Sequence, residues 1–231
     1  MMNYTEQNKQ LWEKHFANTT LDYPNEEVIR FLAKCKRIYN NGIMLDWGCA
    51  TGRHTVLGCK FGFQVIAADY VENCVNITRN KVEKECKEMQ GKVLDYIVNQ
   101  DLDIEQLHDN SLDVILAWGC IFNNTIEQQQ IMMNNMYRML KKGGRVFCDF
   151  RTQRDSIYQS KGKKIAEDTF LISSEATSLE GLCISIPSLE NLKAMLQKSG
   201  FEIENIELYE FTQDNQSIRN SWWHVTLLKN V

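Results

Sequence analysis

The stretch Met44-Leu45-Asp46-Trp47-Gly48-Cys49-Ala50-Thr51-Gly52-Arg53-His54 decides how the rest of the chain is interpreted. Its first residues continue a short apolar run that is typical of a buried strand, and the strand ends at a carboxylate. Small residues follow, which let the backbone approach a ligand at the start of a helix. This order of strand, acidic residue, glycine-containing loop and helix predicts a ligand site at one strand of an α/β sheet.

Short apolar runs alternate with amphipathic segments along the chain, which predicts repeated β-α units and a parallel sheet. Strands are predicted at residues 43–45, 64–68, 94–99, 112–118, 145–150, 202–211 and 222–228. Helices are predicted after Pro24 and at residues 53–61, 72–90, 125–140 and 188–199. Because residues 212–216 have turn chemistry, the last two strands are expected to form an antiparallel hairpin.

The chain is expected to form a single domain, residues 1–231, with four parts. Residues 1–24 are an N-terminal lid or packing segment, in which Trp12, His15 and Phe16 lie on one helical stripe. Residues 25–150 are the ligand-binding core, and residues 151–186 are a polar insertion without a clear pattern. Residues 187–231 supply the last helix and the hairpin.

Composition narrows the functional classes. The 231 residues are 43% hydrophobic and 24% charged, which is ordinary for a globular protein, and the formal net charge is −4. That charge argues against binding to nucleic acid or to an anionic membrane. The first residues lack the apolar core of a secretory signal, and the eight cysteines form no Cys-x-x-Cys pair. The chain is therefore expected to be cytoplasmic, with no metal site.

A dinucleotide site is the first alternative for the glycine-containing loop. Its Gly-x-Gly-x-x-Gly pattern needs glycine where this chain has Ala50 and Arg53. The acid two residues before Gly48 would repel a pyrophosphate but suits a ligand with an ammonium or sulfonium charge, and S-adenosylmethionine carries both. Asp69 and Asp101, at the ends of the next two strands, can accept from a ribose diol and an adenine amino group. The three carboxylates are expected to line one crevice.

Over residues 24–150 the chain resembles the class I S-adenosylmethionine-dependent methyltransferases of small-molecule type. Residues 45–52 match the first motif of that family and residues 65–69 match the second. Gln100-Asp101 and residues 110–115 match the third and fourth, and residues 140–144 match the turn before strand five. The resemblance implies a Rossmann-like domain with a seven-stranded, mostly parallel sheet, an antiparallel strand seven and helices on both faces. Ala50 departs from the usual glycine and is expected to have a negative φ.

The resemblance also implies which residues bind the cofactor, S-adenosylmethionine. The residues for its methionine part are Asp46 and, in the loop, Gly48, Cys49, Ala50 and Gly52, with Trp118 near the same end. Those for ribose and adenine are Asp69, Tyr70, Asp101 and Leu102.

The acceptor is predicted from weaker signals. A segment of the type Asn/Asp-Pro-Pro-Tyr, which marks methyltransferases acting on DNA amines or glutamine, is missing after strand four. His54 and Asp149 are candidate bases for a hydroxyl acceptor. Arg151 and Arg154 begin a basic run that can bind an anion, such as a phosphate or carboxylate.

The leading hypothesis is therefore O-methylation of a small anionic or sugar-like metabolite. Two alternatives stay open. One is an N-methyltransferase for a small amine, which would need carboxylates or an aromatic cage around a cation. The other is a noncatalytic module that retains the cofactor site.

Overall fold

The computed structural model describes residues 4–88, 91–99, 101–159, 161–173 and 180–230, so Gln100 of the third motif lies outside it. The helices are α1 (Tyr4–Phe16), α2 (Glu26–Ile38), α3 (Arg53–Lys60), α4 (Glu72–Glu85), α5 (Ile126–Met139), α6 (Ser156–Gln159) and α7 (Leu189–Lys198). The strands are β1 (Ile43–Trp47), β2 (Gln64–Asp69), β3 (Lys92–Val98), β4 (Leu112–Ala117), β5 (Leu140–Arg151), β6 (Lys161–Ala166), β7 (Thr169–Ile172), β8 (Cys183–Ser185), β9 (Glu202–Gln213) and β10 (Ile218–Leu228).

The main sheet has seven strands in the order β3-β2-β1-β4-β5-β10-β9. Strands β1 to β5 pair in parallel, and β10 is antiparallel to both of its neighbours. This arrangement confirms the predicted mostly parallel sheet with an antiparallel final strand. Because the strand order reverses direction between β1 and β4, a crevice opens above their carboxyl ends, where open α/β sheets bind ligands.

Helices cover both faces of this sheet because successive residues of a buried strand point in opposite directions. On one face, Met44 and Leu116 share a buried cluster with Leu32 of α2. On the other face, Ile115 shares a cluster with Met136 of α5 and with α7. Each fully buried side chain of this size contributes about 1.5–3 kcal/mol. The central strands β1, β2 and β4 are therefore buried over most of their length.

Local signals account for several element boundaries. Thr125 and Gln128 form a reciprocal capping box at the start of α5, and the Ser188 side chain caps α7. Helix α4 ends at Glu85, earlier than predicted, and β5 begins at Leu140 instead of residue 145. Gly143 lies inside that strand with φ 79°. The turn predicted from this glycine is therefore an irregularity within the strand.

The seven strands predicted from the sequence all lie in the main sheet, and the described residues form three more strands in the segment that was left unassigned. The unassigned insertion contains α6 and a separate antiparallel sheet in the order β6-β7-β8. Its apolar residues Ile172 and Ile184 pack with Leu11 and Trp12 of α1. These contacts join distant parts of the chain, and strands of three to six residues leave little periodicity to detect.

Helix α1 is held against β8 by the buried side chain of Asn8. Its amide nitrogen donates to the carbonyls of Asn123 at 2.7 Å and Cys183 at 2.9 Å, and its oxygen accepts from the Cys183 N–H at 2.8 Å. Gln7 adds a bond to the Gly181 carbonyl. In the described part of the chain no helix is long and apolar enough to span a bilayer.

We expect Asn8→Ala to lower the free energy of unfolding by roughly 1–3 kcal/mol, since it leaves buried backbone groups without partners. Chemical denaturation measures the change. Gln10→Ala, an exposed position on the same helix, is the control and is expected to cost less than about 0.5 kcal/mol. Equal denaturation midpoints for Asn8→Ala and Gln10→Ala would contradict the anchoring role of Asn8.

Candidate active site

A cavity of about 360 Å³ lies at the carboxyl ends of β1, β2 and β4, and we call it the first cavity. Helix α1 covers it with Thr5, Asn8, Trp12, His15 and Phe16. The predicted lid or packing segment therefore lies on the cavity lining and is also fixed to β8, and its action as a lid stays a prediction. The predicted cofactor residues on the lining are Gly48, Cys49, Ala50, Asp69, Tyr70, Asp101, Leu102 and Trp118.

Two predicted cofactor residues, Asp46 and Gly52, are not on this lining. Asp46 lies two residues after Met44 and points to the same face of the sheet, where Thr55 of α3 donates to its carboxylate at 2.6 Å. Burial raises the pKa of Asp46 to about 7. At Gly52 an added Cβ would lie 2.9 Å from Thr78 Oγ1, so this glycine permits close packing of the loop on α4. The expectation that three carboxylates line the crevice is corrected to two, Asp69 and Asp101.

Ala50 has φ 48°, so the expected negative φ is wrong. A left-handed conformation costs a residue with a Cβ about 1–2 kcal/mol. The loop retains it because the Ala50 N–H donates to Asp69 Oδ2 and its carbonyl accepts from Thr78 Oγ1, both at 2.9 Å. Gly48, with φ 79°, is required for a different reason, since a Cβ there would lie 2.7 Å from that of Cys120.

The carboxylate of Asp69 is buried at the end of β2 and is held in place by backbone donors. Its Oδ1 accepts from the Val71 N–H at 2.9 Å, in addition to the bond from Ala50. Burial raises its pKa to about 6, although these hydrogen bonds favour the ionised form. Each oxygen keeps a second lone pair, so the group is oriented to accept from a ligand hydroxyl.

Two asparagines on the lining were not predicted from the sequence. Asn99 and Asn123 are both buried, and within the described residues their side-chain oxygens have no hydrogen-bond partner. Their amide nitrogens donate to Asp101 and Gly119 carbonyls, both at 2.9 Å. A buried acceptor without a partner is costly unless a ligand supplies a donor. Asn99 directly follows the third strand, and that position was the signal that could have identified it.

A second cavity, of about 470 Å³, adjoins the first and shares Arg53, Trp118 and Gly119 with it. Its wall comes from the start of α2, from the ends of β4 and β5, and from β9 and β10. The other lining residues are Asn25, Glu26, Glu27, Phe122, Asp149, Arg151, Tyr209, Phe211, Trp222 and His224.

Asp149, a predicted base, is buried at the end of β5 and faces the second cavity. Its Oδ1 accepts from the Gly119 N–H at 2.6 Å, so the carboxylate is held beside the wall that the two cavities share. Burial raises its pKa to about 6, and the charges of Arg151 and Arg53 oppose part of that shift. A carboxylate in this range is ionised at neutral pH and is a stronger base than an exposed one.

The two histidines are less suited to proton transfer. His54 lines the first cavity, but its Nε2 accepts from the Asn25 N–H at 3.3 Å, and burial lowers its pKa to about 3. His224 lies between the rings of Trp118 and Tyr209, with centroids 4.9 and 5.0 Å away, and burial lowers its pKa. The geometry therefore favours Asp149 over His54 as a base.

The two predicted anion-binding arginines lie in different environments. Arg151 lines the second cavity, where it pairs with Asp155 at 2.9 Å and lies over the rings of Phe122 and Trp222. Arg154 pairs with Glu210 at 2.9 Å and lies outside the lining of both cavities, because the chain turns away after β5. The basic run continues at Lys161, whose side chain lies outside the described residues.

Arg53, the first residue of α3, was not predicted as a site residue. Its guanidinium donates to the Tyr23 carbonyl at 3.2 Å, and it forms no ion pair within the described part of the chain. It lies on the shared wall and interacts electrostatically with Asp46 and Asp149. No group of three or more potential metal ligands occurs among the described side chains.

Known proteins are similar to this chain in sequence and in fold. The methyltransferase domain family matches residues 15–206. Demethylmenaquinone methyltransferase of Clavibacter sepedonicus is 28% identical over 168 residues, which are 68% of this chain and 64% of that protein, so the match spans less than two thirds of that relative. The ubiquinone/menaquinone biosynthesis C-methyltransferase UbiE of Vibrio vulnificus is 28% identical over 200 residues, 79% of this chain and 72% of that protein. A crystal structure of a SAM-dependent methyltransferase from Methanosarcina mazei has a TM-score of 0.73 at 16% identity and covers 91% of this chain and 100% of its own.

The strand order, the cavity at its reversal point and these matches define a class I S-adenosylmethionine-dependent methyltransferase. The chain belongs to the methyltransferase domain family.

The first cavity fits this cofactor. The unpartnered oxygens of Asn99 and Asn123 are acceptors, and S-adenosylmethionine has donors at both ends, an adenine amino group and a methionine ammonium. Asp69 ends β2, which lies between β3 and β4 in the sheet and therefore between Asn99 and Asn123, and it can accept from the ribose hydroxyls. The contacts predicted for Asp46 and Asp101 stay predictions, with Asn99 as a better buried acceptor than the exposed Asp101.

We expect the affinity for S-adenosylhomocysteine to fall about tenfold between about pH 7.5 and about pH 5, as protonation removes a charged acceptor at Asp69. Calorimetric titration at each pH measures it. Asp69→Asn should bind about tenfold more weakly at neutral pH and lose most of this pH dependence. Asp149→Asn, which alters the second cavity, is the matched control and should retain the pH dependence of the unmodified protein. If the affinity of Asp69→Asn changes with pH as much as that of the unmodified protein, the ribose contact is contradicted.

Proposed function

We propose that the protein transfers a methyl group from S-adenosylmethionine in the first cavity to an oxygen atom of a small anionic acceptor in the second. The observation that carries this proposal is the wall shared by the two cavities, where Gly119 holds the Asp149 carboxylate. A Cβ at Gly119 would meet no atom within 4 Å, so the wall is open at the point where two bound molecules would meet.

The cofactor supplies a methyl group on a positively charged sulfur: the bond from sulfur to methyl breaks as the bond from oxygen to methyl forms, and the acceptor releases a proton. The chain contributes alignment and exclusion of water, which α1 provides by covering the first cavity. Buried carboxylates at Asp46 and Asp69 favour a cationic donor over the neutral product.

Asp149 takes the proton of the acceptor hydroxyl. Its carboxylate is already oriented by the Gly119 N–H, and its second oxygen is not used in that bond. With a pKa near 6 it is ionised at neutral pH, and it binds a proton more tightly than an exposed aspartate does. The Arg53 charge beside it stabilises an acceptor that is losing a proton.

We expect Arg53, and not Arg154, to bind an anionic group of the acceptor. Arg151 is partly neutralised by Asp155, whereas Arg53 is bonded to a neutral carbonyl. Arg53 faces the cavity and forms no ion pair in the described part of the chain, which favours binding of a carboxylate or phosphate, while Glu26 and Glu27 on the same lining oppose it. The acidic net charge argues against polyanionic partners, and the exclusion of nucleic acid and membrane partners stays a prediction.

The predicted N-methyltransferase alternative stays open, because Glu26, Glu27 and Asp149 place carboxylates on the lining of the second cavity, and one observation counts against it. A cage for a cationic amine needs unoccupied aromatic faces, and the guanidinium of Arg151 already lies over Phe122 and Trp222, 5.4 and 5.2 Å from their centroids. The second candidate is C-methylation, which the printed names of the curated relatives favour. An ionised hydroxyl on a ring serves that reaction too, with Asp149 in the same role.

The proposal is tested by formation of S-adenosylhomocysteine from labelled S-adenosylmethionine with a panel of hydroxylated carboxylic acids and phosphates. We expect an acceptor-dependent rate that falls as the pH drops below about 6, when Asp149 is protonated. Asp149→Asn should reduce kcat about 100-fold and leave the affinity for S-adenosylhomocysteine unchanged. Cofactor binding without turnover for any acceptor would favour the noncatalytic module, and a methyl–carbon bond in the product would establish C-methylation.

Arg53→Gln should raise the KM for an anionic acceptor about tenfold, since it removes a charged hydrogen bond. Arg154→Gln is the control, because that arginine pairs with Glu210 outside both cavities and should leave the KM unchanged. Initial rates at saturating cofactor measure both. If Arg53→Gln instead weakens S-adenosylhomocysteine binding with no change in acceptor KM, Arg53 contacts the cofactor and not the acceptor.

A further inference from the structure

Aromatic rings form a continuous row along the second cavity. Trp118, on the shared wall, is 4.9 Å from His224, and His224 is nearly parallel to Tyr209, with centroids 5.0 Å apart and an interplanar angle of 23°. Tyr209 continues to Phe211 and Trp222 at 5.8 and 6.4 Å. The row runs from the meeting point of the cavities across β10 to the edge strand β9.

The outer end of this row is open to solvent. Tyr209 and Phe211 are 41% and 38% exposed, which leaves much of two large rings in water. They are alternate residues of β9, so both side chains lie on the cavity face of the sheet. Trp222 lies opposite Tyr209 on β10 and extends the same surface.

Polar groups lie at the inner end of the row, where Asp149 is bonded to Gly119 and Arg53 lines the shared wall. Glu26 and Glu27 at the start of α2 line the cavity as well. Arg151 lies over the rings of Phe122 and Trp222 and is partly neutralised by Asp155. A ligand that matches this cavity has a reactive, acidic end directed inward and a flat apolar part directed outward.

We propose that the acceptor is a planar aromatic compound with a hydroxyl group and an anionic substituent, and that Tyr209 with its neighbouring rings selects it over sugar-like or aliphatic acceptors. This inference rests on the proposed function, in which the second cavity holds the acceptor. Edge-to-face and offset contacts between rings account for the selection, because a saturated ring of the same size has no π-face.

The test is a matched pair of ligands titrated into the protein saturated with S-adenosylhomocysteine. 4-Hydroxybenzoate and trans-4-hydroxycyclohexanecarboxylate share the carboxylate and the hydroxyl and differ in the ring. We expect the aromatic acid to bind about tenfold more tightly to the unmodified protein. Equal affinities would overturn the proposal.

Tyr209→Ala should reduce this preference to less than about threefold, and Tyr209→Leu, which keeps an apolar side chain on the strand, should do the same. Leu208→Ala is the control, since Leu208 is 42% exposed on the opposite face of β9 and should leave the preference intact. An unchanged preference in both Tyr209 variants, with unchanged S-adenosylhomocysteine affinity as the test of folding, would overturn the role of the ring row.

The outcome separates this inference from the proposed function. Aromatic preference in binding, with no methyl transfer to any acceptor, would contradict the proposed transfer and support the aromatic site. Methyl transfer to the aromatic and saturated acids with equal kcat/KM would support the transfer and contradict the aromatic site.

Discussion

The carboxylate of Asp69 joins the loop after β1 to the loop after β2, and the cofactor site depends on that connection. One oxygen accepts from Ala50 and the other from Val71, so two backbone segments are fixed relative to each other by one side chain. The bond to Ala50 also holds a left-handed residue in a conformation that a free alanine avoids. The loop shape and the ligand acceptor therefore come from the same buried group, and neither is independent of the other.

Buried acids give the site its electrostatic character. Asp46, Asp69 and Asp149 all have pKa values raised by burial, to between about 6 and about 7. Such groups destabilise the folded chain when ionised, because the unfolded chain solvates the charge better. Proteins retain costly buried charges mainly where they act on a ligand. A cationic methyl donor offsets part of this cost when it binds, which links the stability of the fold to occupancy of the first cavity.

Much of the fold and of the cofactor cavity could be predicted from the sequence because the signals are local. Asp69 and Trp118 lie at the ends of strands in equivalent β-α units. The glycines of the first loop are close together in the sequence. The position of Asp46 beside α3, away from the lining of the first cavity, was not predicted because it depends on the alternation of side chains along β1, and its contact with the cofactor stays a prediction. Arg53 and Asn99 were missed although they lie in the first loop and at a strand end, and the ring row of the second cavity was missed because its members come from distant strands. The pairing of Arg154 with Glu210, on a strand far along the chain, has the same cause.

The long-range contacts of Asn8 also have a consequence for folding during synthesis. Its partners Asn123 and Cys183 are separated from it by 115 and 175 positions, and β10 inserts between β5 and β9 near the last residues of the chain. Helix α1 therefore waits for β8, which is made much later, before it can pack over the cavity. Long-range closure of this kind is slow compared with local helix formation. A nascent chain displays the apolar stripe of α1 throughout that delay, and the methyl donor cannot be enclosed before β8 has been made.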